Sequence, residues 1–199
     1  MKYQVMSEKQ SKYQIIYADP PWPYDGNEVL AKTSRLNLKK KDGHYGVMSF
    51  DDIARLPVSD IADDNSLLFL WVVSPSLDRG IDILKSWGFK FATVAFVWNK
   101  KRTNPGYYTL SSCELVLVGK KGKIPTPRGE RNIEQFLSSL REGHSVKPAE
   151  IRNRISKMFP TQRKIELFAR DDAQNNLFGW DKFAGWDVFG NEVEDSIIL

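Results

Sequence analysis

The chain has 199 residues, 41% of them hydrophobic and 27% charged, which suffices for one domain with a sizeable core. Lys and Arg (29) exceed Asp and Glu (25), a modest excess of +4 that permits a polyanionic partner without demanding one. A single cysteine excludes an internal disulfide, two histidines (His44 and His144) argue against a zinc site, and no apolar stretch is long enough to span a bilayer.

Residues 1–12 are polar, and Met1-Lys2-Tyr3-Gln4-Val5 lacks the apolar core of a signal peptide, so a cytoplasmic protein is expected. The apolar run at 13–18 reads as a buried strand that ends in Asp19-Pro20-Pro21-Trp22-Pro23-Tyr24. A helix is expected over 49–56, with Ser49 as N-cap and Asp51 and Asp52 in its first turn. A continuous apolar strand follows at 66–73. Leu77, Ile81, Leu84 and Trp87 then set a helical spacing over 76–87. Strands at 89–98 and 113–119 have no helix between them and are expected to pair antiparallel as a late edge. Cys113 lies within the second and reads as inert core. Pro148 opens a helix over 148–158, and short strands close the pattern at 164–169 and 186–189.

Strands alternating with helices predict an α/β fold: a mostly parallel sheet with helices on both faces, in a single domain over 1–199. The irregular segments are 23–48, 99–111, 120–146 and 171–185, and loops this long are usually functional or disordered. Two are basic. One carries Lys32, Arg35, Lys39, Lys40 and Lys41, and the other Lys120, Lys121, Lys123, Arg128, Arg131 and Arg141. Each lysine alone reads as an ordinary solvated charge. As a pair, the loops are expected to flank the site and to contact phosphates without reading sequence.

The chemistry concentrates at Asp19-Pro20-Pro21-Trp22. Ligands of α/β proteins bind at the carboxyl ends of strands. Asp19 accepts hydrogen bonds from an amino group, and the prolines stiffen the backbone so that a carbonyl can be aimed at the same group. Trp22 and Tyr24 offer flat faces on which a base can stack. The competing reading is a proline-stiffened turn. There is no G-x-G-x-x-G fingerprint, and Gly119-Lys120-Lys121-Gly122-Lys123 has the wrong spacing for a phosphate-binding loop.

The chain resembles the MT-A70 family of S-adenosylmethionine-dependent adenine-N6 methyltransferases. The resemblance runs in order from 13 to 192. It begins with the strand entering Asp19-Pro20-Pro21-Trp22 and continues through His44-Tyr45-Gly46, Leu68-Phe69-Leu70-Trp71-Val72 and Val97-Trp98-Asn99-Lys100. Gly106-Tyr107-Tyr108 and Glu114-Leu115-Val116-Leu117-Val118-Gly119 come next, then His144-Ser145-Val146-Lys147-Pro148. Lys164 to Arg170 and Gly185 to Glu192 complete it. It implies a Rossmann-like methyltransferase sheet in permuted order, with the catalytic block first and the cofactor block last.

The resemblance further implies that Asp19 and the Pro20 carbonyl accept hydrogen bonds from the adenine N6 amine, with Pro21 and Trp22 completing the catalytic block. Trp22 would stack the base, with Tyr24 or Tyr45 near it. Tyr45 as simple loop packing is an equal alternative. Lys39, Lys40 and Lys41 would hold the nucleic acid. Lys147 would take the methionine carboxylate of the donor. Asp19, Phe168, Arg170, Asn191 and Glu192 would line the rest of the cofactor pocket, although Phe168 also reads as core and Arg170 as a partner of Asp171 or Asp172. The insertion 171–184 leaves the ribose contact to Asp172, Asn175 or Asn176. DNA is the expected polymer, with no metal, and monomer and homodimer both stay open. An RNA adenine-N6 methyltransferase and a non-catalytic subunit of a heteromeric enzyme are the alternatives. The intact Asp19 block counts against the second, and a small-molecule or protein methyltransferase ranks third.

Overall fold

Tyr13–Ala18 form β1, six residues with side chains buried alternately on the two faces of a sheet. Ile16 and Ala18 enter one hydrophobic core, and Ile15 and Tyr17 enter the other. That two-sided burial is why the run is apolar throughout rather than alternating. The structure, a computed structural model, describes residues 12–23, 47–105, 108–140, 146–169 and 183–190.

In chain order, β1 is followed by α1 (Phe50–Ala54), α2 (Val58–Ile61), β2 (Ala62–Val73), a 3-10 turn (Ser74–Ser76) and α3 (Leu77–Ser86). Then come β3 (Lys90–Asn104), β4 (Ser111–Lys121), β5 (Phe136–Ser138), α4 (Ala149–Met158), β6 (Lys164–Leu167) and β7 (Asp187–Phe189). The seven strands form one sheet in the order β5-β3-β4-β2-β1-β6-β7. All run parallel except β4, which pairs antiparallel with both β2 and β3.

Ser49 caps α1 by accepting from the Asp52 backbone N–H at 3.1 Å, and the two acids in the first turn suit the helix dipole. Ile53, Ile83 and Leu84 from α1 and α3 bury against Ile16, Leu68, Leu70 and Leu117. Trp87 ties the two helices together by donating its indole N–H to the Ile53 carbonyl at 2.9 Å. On the opposite face, α4 buries Ile151 and Ile155 against Ile15, Phe69 and Trp71. Each such isoleucine contributes about 2 kcal/mol of transfer free energy. Lys164 stabilises the far end of α4, where its ammonium donates to the carbonyls of Phe159 (3.1 Å) and Gln162 (2.8 Å).

The α/β class, the parallel majority and the helices on both faces are as expected. Three particulars differ. The 89–98 and 113–119 runs do pair antiparallel, but β4 lies inside the sheet between β2 and β3, and β5 covers β3. A strand buried on both faces gains from neighbours on both edges, so the apolar Leu115-Val116-Leu117-Val118 takes the interior place. The short α2 and β5 lie where no element was expected. Cys113 is only half-buried.

The direction of β4 also moves part of a basic loop. Lys120 and Lys121 pair with Leu67 and Ser66, at the amino end of β2, whereas Glu114 pairs with Val73 at its carboxyl end. Lys120 and Lys121 therefore lie at the end of the sheet opposite Asp19, and the expectation that all of 120–141 flanks the site is corrected. The segment returns toward the site end only at β5, where Leu137 and Ser138 pair with Trp98 and Asn99.

Candidate active site

Because β1, β2, β3, β6 and β7 are parallel, their carboxyl ends share one edge of the sheet. Asp19 stands at that edge, its backbone N–H reaching the Leu167 carbonyl of β6 at 3.5 Å. The proline pair then folds into a tight turn in which Trp22 N–H donates to the Pro20 carbonyl at 2.9 Å. That carbonyl keeps a second lone pair for another donor. Pro21 accepts from Met48 N–H at 3.0 Å, which pins the block to the start of α1.

Trp22 is only 7% exposed. Its indole N–H donates to the Trp71 carbonyl at 3.1 Å, and its ring packs tilted against Phe50 at 6.0 Å. The structure thus gives Trp22 an anchoring place in the core, which fixes the Asp19 turn to β2.

Lys147 immediately precedes α4, with Pro148 as the helix N-cap. Its ammonium lies 2.9 Å from the Asp19 carboxylate and 3.3 Å from Glu114 of β4. Glu114 in turn pairs with Lys100 of β3 at 3.2 Å. The result is a largely buried chain of alternating charges, Asp19, Lys147, Glu114 and Lys100, contributed by the turn after β1, the segment before α4, and strands β4 and β3. Burial works to lower the Lys147 pKa, but the Asp19 and Glu114 carboxylates outweigh it and hold the ammonium above its ordinary value. Burial likewise pushes Glu114 up, and Lys147 and Lys100 together pull it below the ordinary glutamate range. Both groups are charged at neutral pH.

Trp71 forms the floor. The Lys147 ammonium sits 5.3 Å from the centre of its ring, within cation–π range. The indole N–H donates to the Tyr17 hydroxyl at 2.6 Å, and the backbone carbonyl holds Trp22. Burial, followed by the nearby Glu166 carboxylate, raises the Tyr17 phenol far above its ordinary range, so it stays neutral. Glu166 is itself paired with Arg152 of α4 at 2.9 Å.

The β6 and β7 ends complete the edge. Phe168 follows β6 in a left-handed conformation (φ 62°), which a non-glycine residue adopts at a cost of about 1–3 kcal/mol. Its ring meets Phe189 edge-on at 6.4 Å. Ala169 N–H bonds the Phe189 carbonyl at 3.0 Å, and a Cβ at Gly190 would stand 2.2 Å from the Ala169 carbonyl oxygen. The β6 and β7 tips therefore stay closely paired past the last strand residues.

Of the residues singled out in the sequence, Asp19, Pro20, Pro21, Trp22, Lys147 and Phe168 come together at this edge. Tyr24, Lys39, Lys40, Lys41, Tyr45, Arg170, Asn191 and Glu192 lie outside the described residues, as do Asp172, Asn175 and Asn176. Glu114, Lys100 and Trp71 were not singled out as site residues. A signal existed for one of them: Glu114 is an acid opening an otherwise apolar strand, and such a residue needs a buried partner. Among the described residues no cluster of His, Cys, Asp and Glu has the make-up of a metal site, and no helix is long and apolar enough to cross a membrane.

Chemically, the edge sets one carboxylate and one ammonium side by side. That pair complements an α-amino acid group, which carries one charge of each sign. Asp19 and the free lone pair on Pro20 are two acceptors at one turn, as a primary amine with two hydrogens requires.

The MT-A70 family model matches residues 13–183. The chain is 44% identical to the Type II methyltransferase M.MunI of a Mycoplasma species, over 92% of this chain and 81% of that protein. It is 31% identical to a putative N(6)-adenosine-methyltransferase MT-A70-like protein of Medicago truncatula, over 92% of this chain but 26% of the relative. It is 27% identical to the N(6)-adenosine-methyltransferase catalytic subunit METTL3 of Homo sapiens, over 94% of this chain and 29% of the relative.

Proposed function

The chain belongs to the MT-A70 family, and on that premise we propose that Asp19 and the Pro20 carbonyl hold the N6 amine of a nucleic-acid adenine for methylation. The polymer is DNA, in keeping with a chain that spans most of a compact Type II methyltransferase and only about a quarter of the longer adenosine methyltransferases. The observation that carries the reading is the Asp19–Lys147 pair at the carboxyl edge of the sheet.

The donor is S-adenosylmethionine, which supplies an electrophilic methyl group on a sulfonium. Its methionine end is a zwitterion, and the adjacent carboxylate and ammonium of Asp19 and Lys147 fit it. The Lys147 ammonium, held between Asp19 and Glu114, would offer its positive charge to the methionine carboxylate. Phe168, which follows β6, would line the pocket beside this pair, and Arg170, Asn191 and Glu192 are proposed to complete it.

Adenine N6 is a weak nucleophile because its lone pair is delocalised into the ring. Hydrogen bonds from its two hydrogens to Asp19 and Pro20 draw the nitrogen toward tetrahedral geometry and aim the lone pair along the transfer path. Catalysis is then positioning plus stabilisation of the positive charge that develops on N6. The Asp19 carboxylate faces that charge and takes the proton the product must lose. The base has to leave the stack to reach the edge of the sheet. Tyr24, Tyr45 and the lysines at 39–41 would meet the nucleic acid there. The domain is single and cytoplasmic.

The test is incubation with labelled S-adenosylmethionine and separate DNA and RNA pools, followed by digestion to nucleosides. Label is expected as N6-methyladenine in the DNA pool and is lost in Asp19→Ala. Undiminished transfer by Asp19→Ala would sink this mechanism.

A further inference from the structure

The β3–β4 hairpin carries an arm that the chemistry above does not use. Through Asn99, β3 is held on both sides: Asn99 pairs with Cys113 of β4, and Ser139 N–H bonds its carbonyl at 3.2 Å. The next matched pair is Asn104 with Ser111. Five residues of β3 thus advance against two of β4, a wide irregularity of the kind that re-aims side chains beside active sites. Lys101 stands inside it with a left-handed backbone (φ 53°), and its N–H bonds the Asn99 side chain at 3.0 Å.

The irregularity splits three consecutive cations. Lys100 turns inward, 7% exposed, onto Glu114. Lys101 and Arg102 turn outward, exposed, with no acidic partner among the described residues. Beyond them lies the tip, where Tyr108 is fully exposed (100%) and Leu110 is 67% exposed. A large aromatic ring wholly in water, on a ribbon footed by two cations with no acidic partner among the described residues, is a poor arrangement for a free surface and a good one for insertion into a polyanion. The ribbon projects from the same edge that carries Asp19, because β3 runs parallel to β1. The residues past Asn99 carry the ribbon beyond that edge, toward a duplex positioned over the site.

We infer that this hairpin is a duplex-engaging wedge: Lys101 and Arg102 grip phosphates, and Tyr108 with Leu110 enters the base stack next to the extruded adenine. The inference rests on the nucleic-acid reading above and adds how the target leaves the helix. A β-ribbon is the size a DNA groove admits, and apolar wedges between base steps offset part of the cost of unstacking.

The experiment compares the wild-type chain with a Tyr108→Ala, Leu110→Ser double variant on one oligonucleotide containing the methylated adenine. The oligonucleotide is presented as a perfect duplex, as a duplex with that adenine mismatched, and as a single strand. The double variant is expected to lose roughly tenfold or more in kcat/KM on the perfect duplex and much less on the other two, where unpairing is already paid. Lys101→Ala with Arg102→Ala is expected to weaken binding to every duplex alike and to flatten its salt dependence by up to about two phosphate contacts. Equal losses on all three forms, or none, overturn the wedge, as does a wild-type enzyme that works best on the single strand. A wild-type dimer that the tip substitutions dissolve assigns the arm to a second copy and also overturns it. Failure of the function itself looks different, because the wild-type chain would then methylate none of the three.

Discussion

Lys147 lies 2.9 Å from Asp19, although 128 positions separate them in the chain. The Asp19 turn and the lysine that pairs with it arrive from opposite parts of the sequence. They meet because β1 is central, with β6 on one side and α4 packed across its face.

Lys147→Met removes the ammonium and keeps the side chain's length. S-adenosylmethionine affinity, measured by calorimetry, is expected to fall about tenfold or more, since one charged partner of a buried network is lost. Nucleic-acid affinity should move far less. Unchanged donor affinity would take Lys147 out of the pocket.

Trp71→Phe keeps an aromatic ring under Lys147 and the backbone carbonyl that holds Trp22, but it deletes the N–H that reaches Tyr17 and leaves a cavity where the larger indole packs against Trp98, which adds to the cost. Leaving that buried hydroxyl without its donor is expected to cost about 1–2 kcal/mol in denaturant unfolding. Tyr17→Phe combined with Trp71→Phe should recover part of the loss, because both polar partners are then gone.

Glu114→Gln tests the charge chain through pH. The folded-state pKa of Glu114 lies below its ordinary value of 4.5, so its ionic contribution is complete above that value and fades as the pH falls through the depressed one. Lys147 is raised above 10.5, so its contribution is complete below that value and is lost as the pH rises through the raised one. The variant should therefore be less stable than the wild-type chain by a constant margin of roughly 2–3 kcal/mol between these limits. The two unfolding curves should converge in acid. A margin that persists to pH 2 would mean that Glu114 does not act through its charge, since glutamine keeps its shape.

Gly190→Ala places a methyl group 2.2 Å from the Ala169 carbonyl oxygen, and backbone cannot step aside as a flexible side chain can. The β6 and β7 tips must separate. The expected result is weaker donor binding together with a lowered Tm, and Gly190→Ser should behave at least as badly.

Much of this was legible before any coordinates. β1 and α3 announced themselves because a buried strand bounded by prolines, and a helix with Leu77, Ile81 and Leu84 on one face, depend mainly on local pattern. The position of β4 was not legible, since whether an antiparallel strand ends at an edge or inside a sheet depends on partners far along the chain. The three residues of β5 have no local signature and exist by pairing with β3. Lys120 and Lys121 were expected at the site because they lie close in sequence to a loop that reaches it, yet the direction of one strand carries them to the other end. Trp22 looked like a free aromatic face, and only packing reveals the carbonyl that holds its N–H. The roles of Asp19 and Lys147 came from resemblance to a family. The structure adds their contact and the Glu114–Lys100 extension behind it.

The pairing of Ile15 with Lys164 has a consequence in time. During synthesis, the strand bearing Asp19 leaves the ribosome long before β6 and α4 exist. The hairpin of β3 and β4 can close quickly on nearby contacts, whereas β1 waits for partners across most of the chain, a slow step in any folding reaction. Until then Asp19 is a carboxylate without its counter-charge, on a strand without one neighbour. A growing chain of this design assembles the Asp19–Lys147 pair only when its last third is in place.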